Sequence, residues 1–112
     1  MPHIIIEYSD NLLPDLDVGK LVGTLHETLA AGGIDKTRIK TRAVKLEHYN
    51  VGEKGAKGSM IHGTLLLLEG RDVPTKEKLS KPLYEALKAS IKTRDVAVTF
   101  EVRDMVKDTY YL

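Results

Sequence analysis

The chain has 112 residues, 42% of them hydrophobic and 29% charged, which is enough for one hydrophobic core and too little for two. Seventeen Lys and Arg against sixteen Asp and Glu leave a formal charge of +1, so there is no broad basic footprint for nucleic acid or anionic lipid, and a charged ligand has to be met locally. With no cysteine, disulfides, a thiolate nucleophile and a cysteine metal site are all excluded, which fits the expectation of a reducing, cytoplasmic setting.

His3 to Ser9 contains three consecutive isoleucines; β-branched residues crowd a helix and suit a pleated sheet, which predicts a first strand. Its early Glu7 and lack of a basic region are unlike a targeting peptide. Asn11 to Pro14 interrupts the run, and Val18, Leu21, Val22, Leu25 and Leu29 then recur at helical spacing. They predict a helix of about fifteen residues, capped by Asp15 or Asp17 and closed by Gly32-Gly33. Ile39 to Tyr49 alternates, with apolar residues on both parities, which predicts a second strand covered on both faces. Asn50 to Ser59, with Gly52, Gly55 and Gly58, reads as a loop. Met60 to Glu69 is a third strand, whose Leu65 to Leu68 run predicts burial on both faces and is too short to span a bilayer.

Arg71 to Thr75 is a turn into a second helix carrying Leu79, Leu83, Ala86, Leu87 and Ile91 through Ser90. Pro82 inside it is expected to kink the helix or mark its start. Asp95 to Val102 alternates as a fourth strand, and the tail ending Tyr110-Tyr111-Leu112 is apolar enough to dock. Strand, helix, strand thus occurs twice at an offset of about sixty residues. The expected fold is α+β, a doubled βαβ unit forming one domain over residues 1–112, with two helices on one face of a four-stranded sheet. Apolar residues on both parities of strands two and three predict that the other face meets a partner, hence a homo-oligomer.

Few residues point to chemistry. His3, His26, His48 and His62 have no metal-ligand spacing, and no serine lies in a GxSxG context. His62 reads first as a satisfied sheet histidine and second as a catalytic one. The glycine loop with Lys54 and Lys57 precedes a strand, whereas phosphate loops precede a helix. Charges on the second helix read as a solvated face with pairs such as Lys81 with Glu85.

Two features remain. Removal of Met1 before the small Pro2 would leave a secondary amine at the head of a buried strand. An α-amino group titrates near about 7.7 to 8.0 when unperturbed and lower beside cations, so it can serve as a neutral general base; the simpler account is a proline that merely begins a strand. The second feature is cationic. Lys40 and Arg42 share a parity, roughly 7 Å apart, close enough to grip one carboxylate or two ends of a small polyanion, and Arg71 follows the leucine strand and Gly70. Three solvated surface cations are the plain alternative.

The opening Pro2-His3-Ile4-Ile5-Ile6-Glu7-Tyr8-Ser9-Asp10-Asn11-Leu12, the Ile39-Lys40-Thr41-Arg42 segment, Ile61-His62 and Gly70-Arg71 together resemble the 5-carboxymethyl-2-hydroxymuconate delta-isomerase family of the tautomerase superfamily, over nearly the whole chain. The resemblance implies a trimer of βαββαβ subunits and an amino-terminal proline, Pro2, that shuttles a proton without metal or cofactor. The substrate implied is a small conjugated 2-hydroxy-dienoate with several carboxylates, from aromatic-compound breakdown. Arg71 matches a family arginine that binds or polarises substrate, and Arg42 a family basic position; Lys40 stands where the family carries its other arginine, keeping charge without the planar two-toothed geometry. The competing reading is a non-catalytic ferredoxin-like binding module or structural oligomer. An RNA-binding version is disfavoured, since the sole phenylalanine is Phe100 and stacking aromatics are missing from the central strands.

Overall fold

A computed structural model describes residues 2–112. Strand β1 (His3–Ser9) leads to helix α1 (Val18–Ala31) and strand β2 (Lys40–Leu46); strand β3 (Met60–Leu68) leads to helix α2 (Val73–Ala89) and strand β4 (Ala97–Met105). The sheet order is β2-β1-β3-β4, with β1 antiparallel to β3 at the centre and a parallel strand outside each. The two halves share one register. His3 pairs with Lys40 and Met60 with Ala97, each 37 positions further along, so the doubled βαβ unit holds down to the residue offset.

Alternation decides which side chains are buried. Ile4 and Ile6 of β1 and Ile61, Leu65 and Leu67 of β3 point to one face, where Leu21, Leu25 and Leu29 of α1 and Leu79, Leu83 and Leu87 of α2 cover them. Asp17 caps α1, its carboxylate accepting from the Lys20 N–H at 3.1 Å, whereas Asp15 is held by Arg94. Gly33 takes the left-handed conformation after α1, φ 99°.

Several expectations need correction. Pro82 neither starts nor breaks α2, because Asp72 accepts from the Thr75 N–H and fixes the start a full two turns earlier. Lys81 and Glu85 do not pair; the ion pair from α2 joins Lys76 to Asp104. Strand β2 stops at Leu46 and is an edge strand, covered by α1 on one face only, with Lys40, Arg42 and Val44 exposed on the other. Strand β4 runs three residues beyond Val102, as Arg103, Asp104 and Met105 continue pairing with Leu66, Leu67 and Leu68. On the helix-free face of β3, Met60, His62, Leu66 and Leu68 are half-buried and Thr64 is buried within the single chain.

Gly63 in the middle of β3 has a packing cause. A Cβ there would collide with the Phe100 ring, lying 2.6 Å from its Cε2 and 3.2 Å from Cδ1 of Ile6. Gly63→Ala should therefore displace Phe100 and destabilise the chain by about 1–3 kcal/mol, as overpacked cores do; urea unfolding of the two proteins measures it, and an unchanged midpoint would contradict the packing account.

Candidate functional site

Antiparallel pairing of β1 with β3 puts the head of β1 beside the end of β3, and the two parallel pairings bring the head of β2 and the end of β4 to the same end of the sheet. All four residues singled out from the sequence lie at this end. Pro2 is buried immediately before β1, and its carbonyl accepts from the Lys40 N–H at 3.1 Å. Lys40 and Arg42 project from the uncovered face beside His3 and Ile5. Arg71 is exposed in the turn between β3 and α2, after Gly70 with φ 117°, and makes no hydrogen bond or ion pair among the described residues.

The expected Lys40 and Arg42 clamp is modified by partners within the chain. The Lys40 ammonium donates to the Arg38 carbonyl at 3.2 Å, and Arg42 Nη1 lies 3.0 Å from Nδ1 of His3. The pair shares a face, but each cation is turned to a different group. The Nε and second Nη of Arg42 remain unengaged among the described residues.

His3 and Tyr110 were not picked out from sequence, and their contact spans 107 positions. Nε2 of His3 is 2.8 Å from the Tyr110 hydroxyl, with the rings edge to face at 5.9 Å between centroids. A guanidinium has only donors, so Nδ1 of His3 must be the acceptor, and the proton of the neutral ring then sits on Nε2 and is donated to Tyr110. Burial first, then the charges of Arg42 and Lys40, lowers the His3 pKa and favours this neutral form. No local signal reveals such a contact; the apolar tail was the only hint. Of that tail Tyr110 docks, whereas Tyr111 and Leu112 stay exposed. Lys107 N–H is also fastened to the Glu69 carboxylate at 2.6 Å, so the tail runs from β4 past the end of β3 to β1.

His62 lies further along the uncovered face, opposite Glu7. Its Nδ1 is 2.7 Å from the Thr99 hydroxyl and its Nε2 2.9 Å from Glu101, a satisfied sheet histidine. Arg103 grips both oxygens of Glu101 at 2.9 and 3.0 Å; with His62 second, it holds that carboxyl down at about 2. Among the described residues no group of three or more His, Asp or Glu side chains is arranged to hold a metal ion, and no helix is long and apolar enough to cross a membrane.

The chain is similar to known proteins over nearly its whole length. A family model described as 5-carboxymethyl-2-hydroxymuconate isomerase matches residues 2–111. The 5-carboxymethyl-2-hydroxymuconate Delta-isomerase of Escherichia coli is 28% identical over 110 residues, covering 94% of this chain and 87% of that protein. A crystal structure of a 5-carboxymethyl-2-hydroxymuconate delta-isomerase superposes with a TM-score of 0.82 at 23% identity, over 99% of this chain and 85% of the other. A fused wild-type 4-OT symmetric trimer superposes at 0.73 and 21% identity, over 98% and 90%. At these identities the two solved structures bear on the fold alone, a four-stranded sheet with two helices built from a doubled βαβ unit.

The His3 geometry has a measurable consequence. The folded chain binds the His3 proton less readily than the unfolded chain, whose value is near 6.5. The contribution of neutral His3 to stability is thus fully present above 6.5 and is lost as pH falls through the lower folded value. NMR should find His3 titrating below 6.5 from the Nε2-protonated form, and Arg42→Leu should move it upward; titration at or above 6.5 would refute the arrangement.

Proposed function

The chain belongs to the 5-carboxymethyl-2-hydroxymuconate isomerase family, and from that membership we propose that it is a cofactor-independent isomerase acting on a small conjugated 2-hydroxy-dienoate with several carboxylates, with Pro2 as the base. The observation that carries the reading is a buried Pro2 at a sheet end that also holds Lys40, Arg42 and Arg71. With Met1 attached, the Pro2 nitrogen is an amide without basicity. Once Met1 is removed it is a secondary amine, and burial together with nearby cations disfavours its protonated form. Such an amine is free at neutral pH to accept a proton.

In the reaction Pro2 nitrogen takes the proton of the 2-hydroxyl group as the carbonyl forms, and the electron pair released moves through the conjugated chain to a distant carbon. The prolinium then returns a proton to that carbon, so the product is the oxo isomer and the base is regenerated. Arg71, Arg42 and Lys40 bind the carboxylates and stabilise negative charge on the dienolate as it develops. Lys40 contributes a point charge rather than a planar fork, which allows carboxylates to be held in more than one orientation.

The working state is a homo-oligomer, most simply a trimer. This is supported by the fold shared with the fused 4-OT trimer and by the uncovered sheet face, where Ile5 and Leu66 are half-buried in the single chain.

Intact mass and the ketonisation of 2-hydroxymuconate, followed by absorbance, test the proposal together. Processed protein should lack one methionine and turn over. Pro2→Ala and a chain that keeps Met1 should each lose about 100-fold or more, the range contributed by a positioned base. Equal turnover in all three would sink Pro2 as the base, and saturable binding without turnover in processed protein would favour a binding module.

A further inference from the structure

The tail carries a group that the reaction above does not use. Tyr110 accepts the Nε2 proton of His3, so its own hydroxyl hydrogen is not spent in that bond, and among the described residues nothing accepts it. The ring is half-buried and fixed from two sides: edge to face against His3, and through the Lys107 bond to Glu69, which seats the turn at Lys107–Thr109 before it. His3 follows Pro2 directly in the chain, and the neighbouring Arg42 still has two nitrogens free to donate.

We propose that Tyr110 is a substrate-anchoring residue of this end of the sheet. Its hydroxyl donates to a carboxylate oxygen of a dicarboxylate ligand, and His3 is the positioning residue that points it there while fixing Arg42 on the opposite side. Imidazole can do both tasks only as a one-proton bridge, accepting at Nδ1 from Arg42 and donating at Nε2 to Tyr110. A phenol turned the other way would spend its hydrogen on His3 and face the ligand with lone pairs, which repel a carboxylate. The arrangement therefore selects an anionic, acceptor-rich group for the space beside the tail. The inference rests on the proline-site reading for where the ligand sits, but not on whether that ligand is isomerised.

The test uses the full processed chain with two ligands. One is cis,cis-muconate, a dicarboxylate without the 2-hydroxyl group, read as a dissociation constant; the other is 2-hydroxymuconate, read as kcat and KM. Tyr110→Phe keeps the ring and loses only the hydroxyl. It should weaken muconate about tenfold or more, as expected for a hydrogen bond to a charged group, and raise KM by a similar factor with kcat nearly unchanged, because the contact is to a carboxylate that is charged in substrate and transition state alike. His3→Leu should do at least as much, and adding Tyr110→Phe to it should cost little more. His3→Gln, which carries an acceptor oxygen and a donor amide nitrogen, should recover most of the affinity.

Unchanged muconate affinity in Tyr110→Phe overturns the proposal even if the protein turns over normally. So does a lowered kcat and melting temperature with unchanged KM and affinity, the mark of a purely structural tail. Tyr110-dependent binding of muconate in a protein that turns nothing over would uphold this inference and dismiss the proton-transfer reading.

Discussion

Pairing His3 with Leu66 and Tyr8 with Ile61 in the centre of the sheet is the constraint from which both the core and the candidate site follow. Side chains alternate between faces, so a slip of one residue in this antiparallel register would set Ile4 and Ile6 on the face opposite to Leu65 and Leu67, and one of the two pairs would leave the helices for the uncovered face. These four are almost completely buried, and at about 1.5–3 kcal/mol for each buried aliphatic side chain the slip is prohibitive. The same register sets the first residue of β1 beside the last residues of β3. The convergence of the candidate residues at the sheet end is in this sense a by-product of burying isoleucine and leucine on the other face.

Electrostatics at that end depends on how each cation is already engaged. Lys40 is turned to the Arg38 carbonyl and Arg42 to an imidazole nitrogen, neither of which neutralises it. The positive charge therefore persists, while the side chains lose some of the rotamer freedom that makes exposed cations poor binders. The contrast is Arg103, whose charge is met by both oxygens of Glu101. Further along the face, with His62 bonded to both Thr99 and Glu101, polar groups are matched internally and offer little to an anion. Uncompensated charge is thus concentrated at the head of β1, where an amine acting as base benefits from it.

The elements themselves were largely legible, since the periodicities that define β1, α1, β3 and α2 are the ones their burial obeys. What was hidden follows a physical pattern. The end of β4 was misjudged because Arg103 and Asp104 break the alternation of apolar residues, yet they pair with Leu66 and Leu67 through the backbone, to which side-chain polarity is irrelevant. Pro82 misled because a helix that is already capped at Asp72 and packed through Leu79, Leu83 and Leu87 tolerates one missing donor. Pro2, Lys40, Arg42 and Arg71 were visible as residue types in suggestive positions. Their convergence needed the sheet order, and the roles of His3 and Tyr110 needed a contact across almost the entire chain.

The doubled unit raises the question of why its two ends differ. Both halves have the same crossover offset, so the head of β3 is the counterpart of the head of β1. At the β3 end the chain satisfies its own polar groups: Met60 N–H donates to the Ser9 hydroxyl, Asn11 donates to the Gly58 carbonyl and accepts from Ser59, and Arg94 donates to the Asn11 carbonyl. At the β1 end the corresponding space holds Arg71 without a partner among the described residues, two nitrogens of Arg42 with unused donors and a Tyr110 hydroxyl whose hydrogen no described residue accepts. One end of a nearly symmetric frame is closed by hydrogen bonds within the chain, and the other is left rich in donors. A small anionic ligand would supply the acceptors that this second end lacks, which is the ground for proposing the site there and not at its structural twin.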